Sequence, residues 1–285
     1  MPRRLWHQNL SFARDTRLHR ILSLAGHELR LGLPGKGDGV LVWGRSPTAW
    51  RGAAVAVRRD VPLVRVEDAF LRSVFPGRSR RDGPLGLLID PVGVHFDSRA
   101  PSGLERILST SPLQDSNILK AAEGAIARIT HLHLSKYNIH DPDLPSPDPG
   151  YVLVVDQTRG DASIRHGGAS AETFRKMLAA ALRDNPDDRI VIRSHPETGL
   201  GLRPGHFSPA DAGGRVSLLS APVSPHRLLA AAAAVYTVSS QLGFEAILHG
   251  HRPHVFGQPF YAGWGLTVDA AALPRRNRLL TPAQL

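Results

Sequence analysis

The chain has 285 residues, 42% of them hydrophobic, which is enough for one large domain or two small ones with a sizeable core. Lys and Arg together number 35 against 25 Asp and Glu, and there is no cysteine. Disulfides and thiolate metal sites are therefore excluded, and the formal charge of +10 favours an anionic partner, although a genome that prefers arginine codons explains the same composition.

Residues 1–30 read as an amphipathic helical stretch, with Leu18, Ile21, Leu22 and Leu24 on one side. Its first residues, MPRRLWHQNLSF, lack the apolar stretch of a secretion signal, and no apolar run reaches the roughly 20 residues of a membrane span. A cytoplasmic protein is expected. Gly39–Trp43 and Pro62–Val66 read as strands. Leu85–Ile89 and Val92–Phe96, flanking Asp90-Pro91, read as a β-hairpin. Leu104–Leu108 and Asn117–Leu134 read as helices. Asp141–Gly150, with four prolines, is the best linker in the chain, so we expect a first domain over 1–145 and a second over 146–285.

Beyond the linker, strands are expected at Tyr151–Asp156, Arg189–Arg193, Arg215–Leu219, Val235–Val238 and His254–Gly257. Helices are expected at Ala171–Asn185, Pro225–Ala234 and Gln241–Gly250. This alternation implies a parallel sheet covered on both faces, and the two halves imply an α/β fold with two Rossmann-like domains facing a central cleft. Ligands of open α/β sheets bind at the carboxyl ends of the strands, so the polar residues just past each strand are the candidates.

Four such sites stand out. Glu67-Asp68 is an acid pair suited to acid/base work, or equally to a helix N-terminus. Asp156-Gln157-Thr158-Arg159-Gly160-Asp161-Ala162-Ser163 offers Asp161 as nucleophile or base and Gln157 as a sugar ligand, or simply a capped turn. His195-Pro196 presents an imidazole on a rigid turn, or is a satisfied surface histidine; no second ligand stands at metal spacing. Ser239-Ser240, opening a helix, would hold a phosphate or carboxylate, or is an ordinary cap. Zinc-finger spacing, RNP-like aromatic strands and basic heptad helices are lacking, so no nucleic acid is expected as partner.

The order of these motifs resembles that of bacterial transferases of the GT-B fold that use CMP-activated sialic acid or Kdo. WGRSP at Trp43–Pro47, VEDAFLRSV at Val66–Val74 and PLGLLIDPVGVHFDSRAPSGLE at Pro84–Glu105 then look like the KpsC-type capsule polysaccharide biosynthesis proteins. So do LSKYN at Leu134–Asn138, VDQTRGDASI at Val155–Ile164, HPE at His195–Glu197, SSQLGFEAILHG at Ser239–Gly250 and GQPFYAGWGLT at Gly257–Thr267. The QTRGDASI form resembles the N-terminal of that family's two transferase modules.

The resemblance implies transfer of β-Kdo from CMP-Kdo, with retention, to a Kdo-bearing phosphatidylglycerol-type lipid at the inner membrane, within a capsule biosynthesis and export complex. It implies Asp161 as nucleophile, Glu67 as acid/base with Asp68 as the alternate, and a CMP-sugar site formed by Gln157, Ser163, His195, Pro196, Ser239, Ser240, Gln241 and Glu245. Neither a cofactor nor a metal is expected. Arg78, Arg80 and Arg81 would meet anionic lipid in a peripheral contact, or form a solvated loop. The chain departs from the family pattern at Ala69, where glycine is usual, and at Glu197, where aspartate is usual. It carries one module, and it stops at Thr281–Leu285, which reads as the first turn of a further helix. A catalytically inactive or truncated member acting as a binding subunit is the alternative.

Overall fold

The fold was analysed in a computed structural model that describes residues 1–79 and 81–285. Its first half opens with β1 (Arg4–His7), α1 (Leu10–Arg14), α2 (Thr16–Leu24) and β2 (Glu28–Leu31). It continues with β3 (Gly39–Trp43), α3 (Ala49–Arg59), β4 (Leu63–Asp68) and β5 (Leu87–Asp90), then α4 (Gly103–Thr110) and α5 (Ser116–His131). The sheet order is β2-β1-β3-β4-β5, parallel except for β5, which runs antiparallel to β4. One face buries Leu5, Leu41, Val64 and Val66 under Leu18 and Leu22 of α2; the other buries Val40 and Val42 under Ala49 and Ala56 of α3.

The second half contains β6 (Tyr151–Val155), α6 (Ala162–His166), α7 (Ala171–Asp184), β7 (Ile190–Arg193) and α8 (Pro196–Gly199). β8 (Val216–Leu219), α9 (Pro225–Ala231), β9 (Ala232–Thr237), α10 (Leu242–Leu248), β10 (His254–Val255) and β11 (Val268–Asp269) complete it. The order β8-β7-β6-β9-β10-β11 is fully parallel and is the 3-2-1-4-5-6 order of a Rossmann sheet. β6 is buried on both faces. Val152 and Val154 meet Phe174 and Met177 of α7, while Tyr151, Leu153 and Val155 meet Leu228 of α9 and Leu242 of α10. The switch point of this order lies between β6 and β9, whose carboxyl ends lead to Gln157 and Ser239.

Several expectations are corrected. Residues 1–30 are not one helical stretch: Leu5 and His7 alternate inward on a four-residue strand ahead of the helices, a period too short to stand out from its basic flank. The second strand of the expected hairpin is absent, because Asp90 accepts from the N–H groups of Val92, Gly93 and Gly103 and turns the chain into a loop. α3 went unpredicted. The expected helix Pro225–Ala234 ends at Ala231, and its last alanines begin β9. The proline-rich segment is packed: Asp141 N–H donates to Pro222 O, and Leu144 joins the second core. Arg80 lies outside the described residues; Arg81 stacks over the Phe75 ring.

The two halves are tied together away from the cleft. The last residues cross back to α4, where Leu108, Trp264 and Leu280 form one cluster. Glu105 of α4 receives Arg275 and Arg276, with Arg276 Nη2 at 2.8 Å from Oε2 and the Arg276 side chain only 2% exposed. Thr281–Leu285 closes as a turn through the Gln284 and Leu285 N–H groups to Thr281 O. Glu105→Ala leaves the buried Arg276 guanidinium without its hydrogen-bonded carboxylate and is expected to cost about 3–5 kcal/mol in urea unfolding. A loss under 1 kcal/mol would show that this tie contributes little.

Candidate active site

The carboxyl ends of β3, β4, β6, β7 and β9 converge on a cleft of about 960 Å³ between the two halves. Glu67 and Asp68 are the last residues of β4 rather than loop residues, and β5 holds them in register. Glu67 lies over Gly44: a side chain at Gly44, whose φ is +30°, would occupy the place of the Glu67 carboxylate. Asp68 is paired with Arg72 at 2.8 Å through Oδ2, and both acids line the cleft.

Burial pushes the Glu67 carboxyl up to about 8, and the negative charges of Asp68 and Asp161 add to the effect against the pull of Lys136. The Lys136 ammonium comes from the loop after α5. Burial pulls it down, but Tyr137, Asp68, Asp161 and Glu67 outweigh that and raise it, so it stays charged. Carboxylates from both halves therefore share one cation in the cleft.

Asp161 caps α6: its Oδ1 accepts the Ser163 N–H at 2.8 Å, which leaves Oδ2 for other partners. The capping role and the cleft position coincide in the same side chain. Gln157 accepts the Ser239 N–H at 2.9 Å and donates from Nε2 to Ser239 Oγ at 3.2 Å, with Ser163 Oγ 3.5 Å from Ser239 Oγ. These residues form a polar floor at the switch point. Beneath it Asp156, pushed up to about 6 by burial against the N–H donors of His206 and Gln157, is enclosed and does not line the cleft.

His195 caps the short α8, with Pro196 in its first turn. Its Nδ1 accepts the Glu197 N–H at 3.1 Å, so the neutral ring carries its proton on Nε2. Burial, then Lys136 and Arg193, depress it to about 3, so it remains neutral at physiological pH. The edge of Tyr137 packs on its ring.

Gln241 and Glu245 bridge the halves. Gln241 Nε2 donates to Phe70 O at 2.9 Å, and both oxygens of Glu245 accept from Ser135 Oγ, at 2.8 and 3.0 Å. Glu245 is fully buried, and burial pushes it up to about 7 against Ser135 and Arg193. All the site residues named from the sequence line this one cleft, His195 and Ser239 included.

Comparison with known proteins fits this geometry. The model of the family described as "Capsule polysaccharide biosynthesis protein" matches residues 38–146 and 114–284. This chain belongs to the capsule polysaccharide biosynthesis family.

Among curated relatives, the capsule polysaccharide modification protein LipA of Neisseria meningitidis is 38% identical over 250 residues, 85% of this chain and 35% of LipA. The lipopolysaccharide-processing protein LpsZ of Rhizobium meliloti is 37% identical over 228 residues, 78% of this chain and 52% of LpsZ. The chain thus spans between a third and a half of these relatives' lengths. The solved structure of the beta Kdo 2,4 transferase of Thermosulfurimonas dismutans KpsC is similar over all of this chain and 89% of its own, with TM-score 0.90 and 34% identity. Its beta Kdo 2,7 transferase gives 0.69 and 25% over 99% of this chain and 88% of its own. The GT-B-like α/β fold is that of these capsule enzymes.

Within this capsule-family cleft, sequence reasoning missed Lys136, Arg193, Ser135, Arg45 and Arg165. One signal was available: Lys136 is one of only four lysines in a chain whose positive charge is otherwise arginine. An ammonium is a compact point charge where a guanidinium is a planar fork, and of the four only Lys136 lines the cleft.

Glu67 also sets a stability test. Its folded value lies above its unfolded value, so its contribution is intact below about 4.5 and is lost as pH rises through about 8. Glu67→Gln mimics the protonated form. It should melt with the parent at pH 4 and above it at pH 9 in thermal scans, and a pH-independent difference would contradict the raised value.

Proposed function

We propose that the chain is a retaining glycosyltransferase that moves β-Kdo from CMP-Kdo to a Kdo-bearing lipid acceptor of capsular polysaccharide. The observation that carries this reading is the facing of Glu67 and Asp161 across one cation from opposite halves of a capsule-family GT-B cleft. Asp161 Oδ2 attacks the anomeric carbon, the bond to the CMP phosphate oxygen breaks, and CMP leaves with that electron pair. The acceptor hydroxyl then attacks the same carbon, Glu67 takes its proton, and the Asp161 carboxylate is released. Two inversions give net retention.

The cleft is chemically suited to each partner. Ser239, Ser163 and the His195 Nε2–H offer donors to the phosphate and the sugar carboxylate, and Lys136 and Arg193 offer charge. Glu67, with its value near 8, is a stronger base than an ordinary carboxylate once deprotonated. No helix among the described residues is long and apolar enough to cross a membrane. Peripheral contact at the inner membrane, close to the lipid acceptor, completes the reading.

Incubation with CMP-Kdo and a Kdo-terminated lipid, followed by mass spectrometry, tests it. Asp161→Asn is expected to lower transfer at least a thousandfold while CMP still binds, and Glu67→Gln to leave a Kdo adduct on Asp161. Full activity in Asp161→Ala would sink the mechanism, and CMP binding without any turnover would favour a binding subunit.

The pH profile gives a second check. A base must be deprotonated, so acceptor transfer is expected to rise with pH until about 8 and then level off. Glu67→Gln should remove that rising limb from the residual rate, and a limb that survives in Glu67→Gln would assign the base to another group.

A further inference from the structure

Beside Glu67, on the rim of the cleft, lies a group of charges that the chemistry above does not use. Gly44 leaves room for the Glu67 carboxyl, and Arg45 follows it directly and lines the cleft. Arg45 Nη2 pairs with Asp97 Oδ2 at 2.6 Å. Asp97 is buried and is also held by Arg99, through Nε to Oδ1 and Nη2 to Oδ2, each at 2.8 Å. Arg99 Nη2 stands 2.8 Å from His166 Nδ1, and from the second half Arg165 Nη2 stands 3.3 Å from His166 Nε2. Arg165 is exposed and lines the same cleft. Behind them Arg65 donates to Gly44 O at 2.6 Å.

The charges here do not balance. Burial pushes Asp97 up, but the Arg99 hydrogen bonds and the Arg45 charge pull harder and hold it at about 2, so it supplies one negative charge. His166 is pulled down, chiefly by burial, and supplies no positive charge at neutral pH. The neighbouring Asp90 spends its oxygens on the N–H groups of Val92, Gly93 and Gly103. Arg45 and Arg99 thus share one carboxylate, Arg65 lies within reach of Asp97 and Asp90, and Arg165 reaches only His166. Arg165 has no carboxylate partner, and the buried Arg45 Nε–H has no acceptor, among the described residues. Guanidiniums gathered in this way lack an anion, and their planar forks suit a carboxylate or phosphate.

Position decides which ligand supplies it. The nucleotide side of the cleft has its own donors in Lys136, Arg193, His195 and Ser239. Arg45 is one residue from Gly44, on which Glu67 rests, so an anion held there belongs to the molecule whose hydroxyl Glu67 would deprotonate. We propose that Arg45 and Arg165 form an oxyanion subsite, built from both halves, that takes the carboxylate of an acidic-sugar acceptor. The proposal rests on the transferase reading for its ligand, but its test needs no turnover.

The methyl glycoside of Kdo, its methyl ester and glycerol phosphate are titrated by NMR against the whole chain in the presence of CMP, at constant ionic strength. The parent is expected to bind the acid at least tenfold more tightly than the ester, and Arg165→Met, an exposed substitution, to bring the acid down to the ester's affinity. Arg45→Met should do the same, provided its thermal unfolding matches the parent's. Equal binding of acid and ester by the parent, or an undiminished preference in Arg165→Met, overturns the subsite. Tighter, Arg165-dependent binding of glycerol phosphate than of the acid overturns the carboxylate assignment. An Arg165-dependent preference for the acid in a protein that does not turn over CMP-Kdo sinks the transferase reading and leaves the subsite standing.

Discussion

One ammonium holds the cleft together. Lys136 lines the cleft and faces Glu67 and Asp68 from the first half and Asp161 from the second. Three carboxylates gathered without a cation would repel one another and take up protons; a cation buried without carboxylates would lose its own. The compromise here is asymmetric. Lys136 stays charged, while burial drives Glu67 toward its neutral form. Asp68 has a second cation in Arg72, which sets it apart from Glu67 although they are adjacent in sequence. Two acids in one cleft thereby acquire different chemistry from their surroundings rather than from their identity.

That arrangement exists only while the halves are held in register. The loop that carries Lys136 is fastened by the preceding residue: Ser135 donates to Glu245 of α10. Gln241 reaches Phe70 O from the same helix, and Phe244 packs edge-on against Phe70. α10 is therefore the part of the second half that grips the first, and its N-terminus is also where Ser239 and Ser240 stand. The helix that follows the serines is thus the one that holds the Lys136 loop and Phe70. On the far side Glu105 with Arg275 and Arg276 supplies a second fixed point.

The sequence carried much of this, for identifiable reasons. β6 is an unbroken apolar run because it is covered on both faces, and such a run followed by Asp-Gln-Thr-Arg-Gly-Asp marks a strand end at a ligand cleft. The same holds for β7 with His195 and for β9 with Ser239. The first half was harder. β1 is four residues with only two buried, and β5 ends where the Asp90 side chain captures three backbone N–H groups, an interaction that no hydrophobic period reports. Lys136 and Arg45 escaped because loop and surface cations acquire meaning only from what stands across from them, and those neighbours lie dozens of residues away in the chain. Gln241 and Glu245 were found by motif, but their ties to Phe70 and Ser135 depend on how the halves dock.

His195 shows why a neutral group suits this position better than another cation. Arg193 and Lys136 already supply charge, and a third cation would be repelled by both; that repulsion, added to burial, is what depresses the imidazole. With Nδ1 occupied by the Glu197 N–H, the ring is fixed in orientation and presents Nε2–H alone. A fixed neutral donor binds a resting ligand only modestly and strengthens as negative charge builds on the atom it faces. For a proposed donor whose phosphate gains charge as it departs, such a dipole favours the departing state over the bound one.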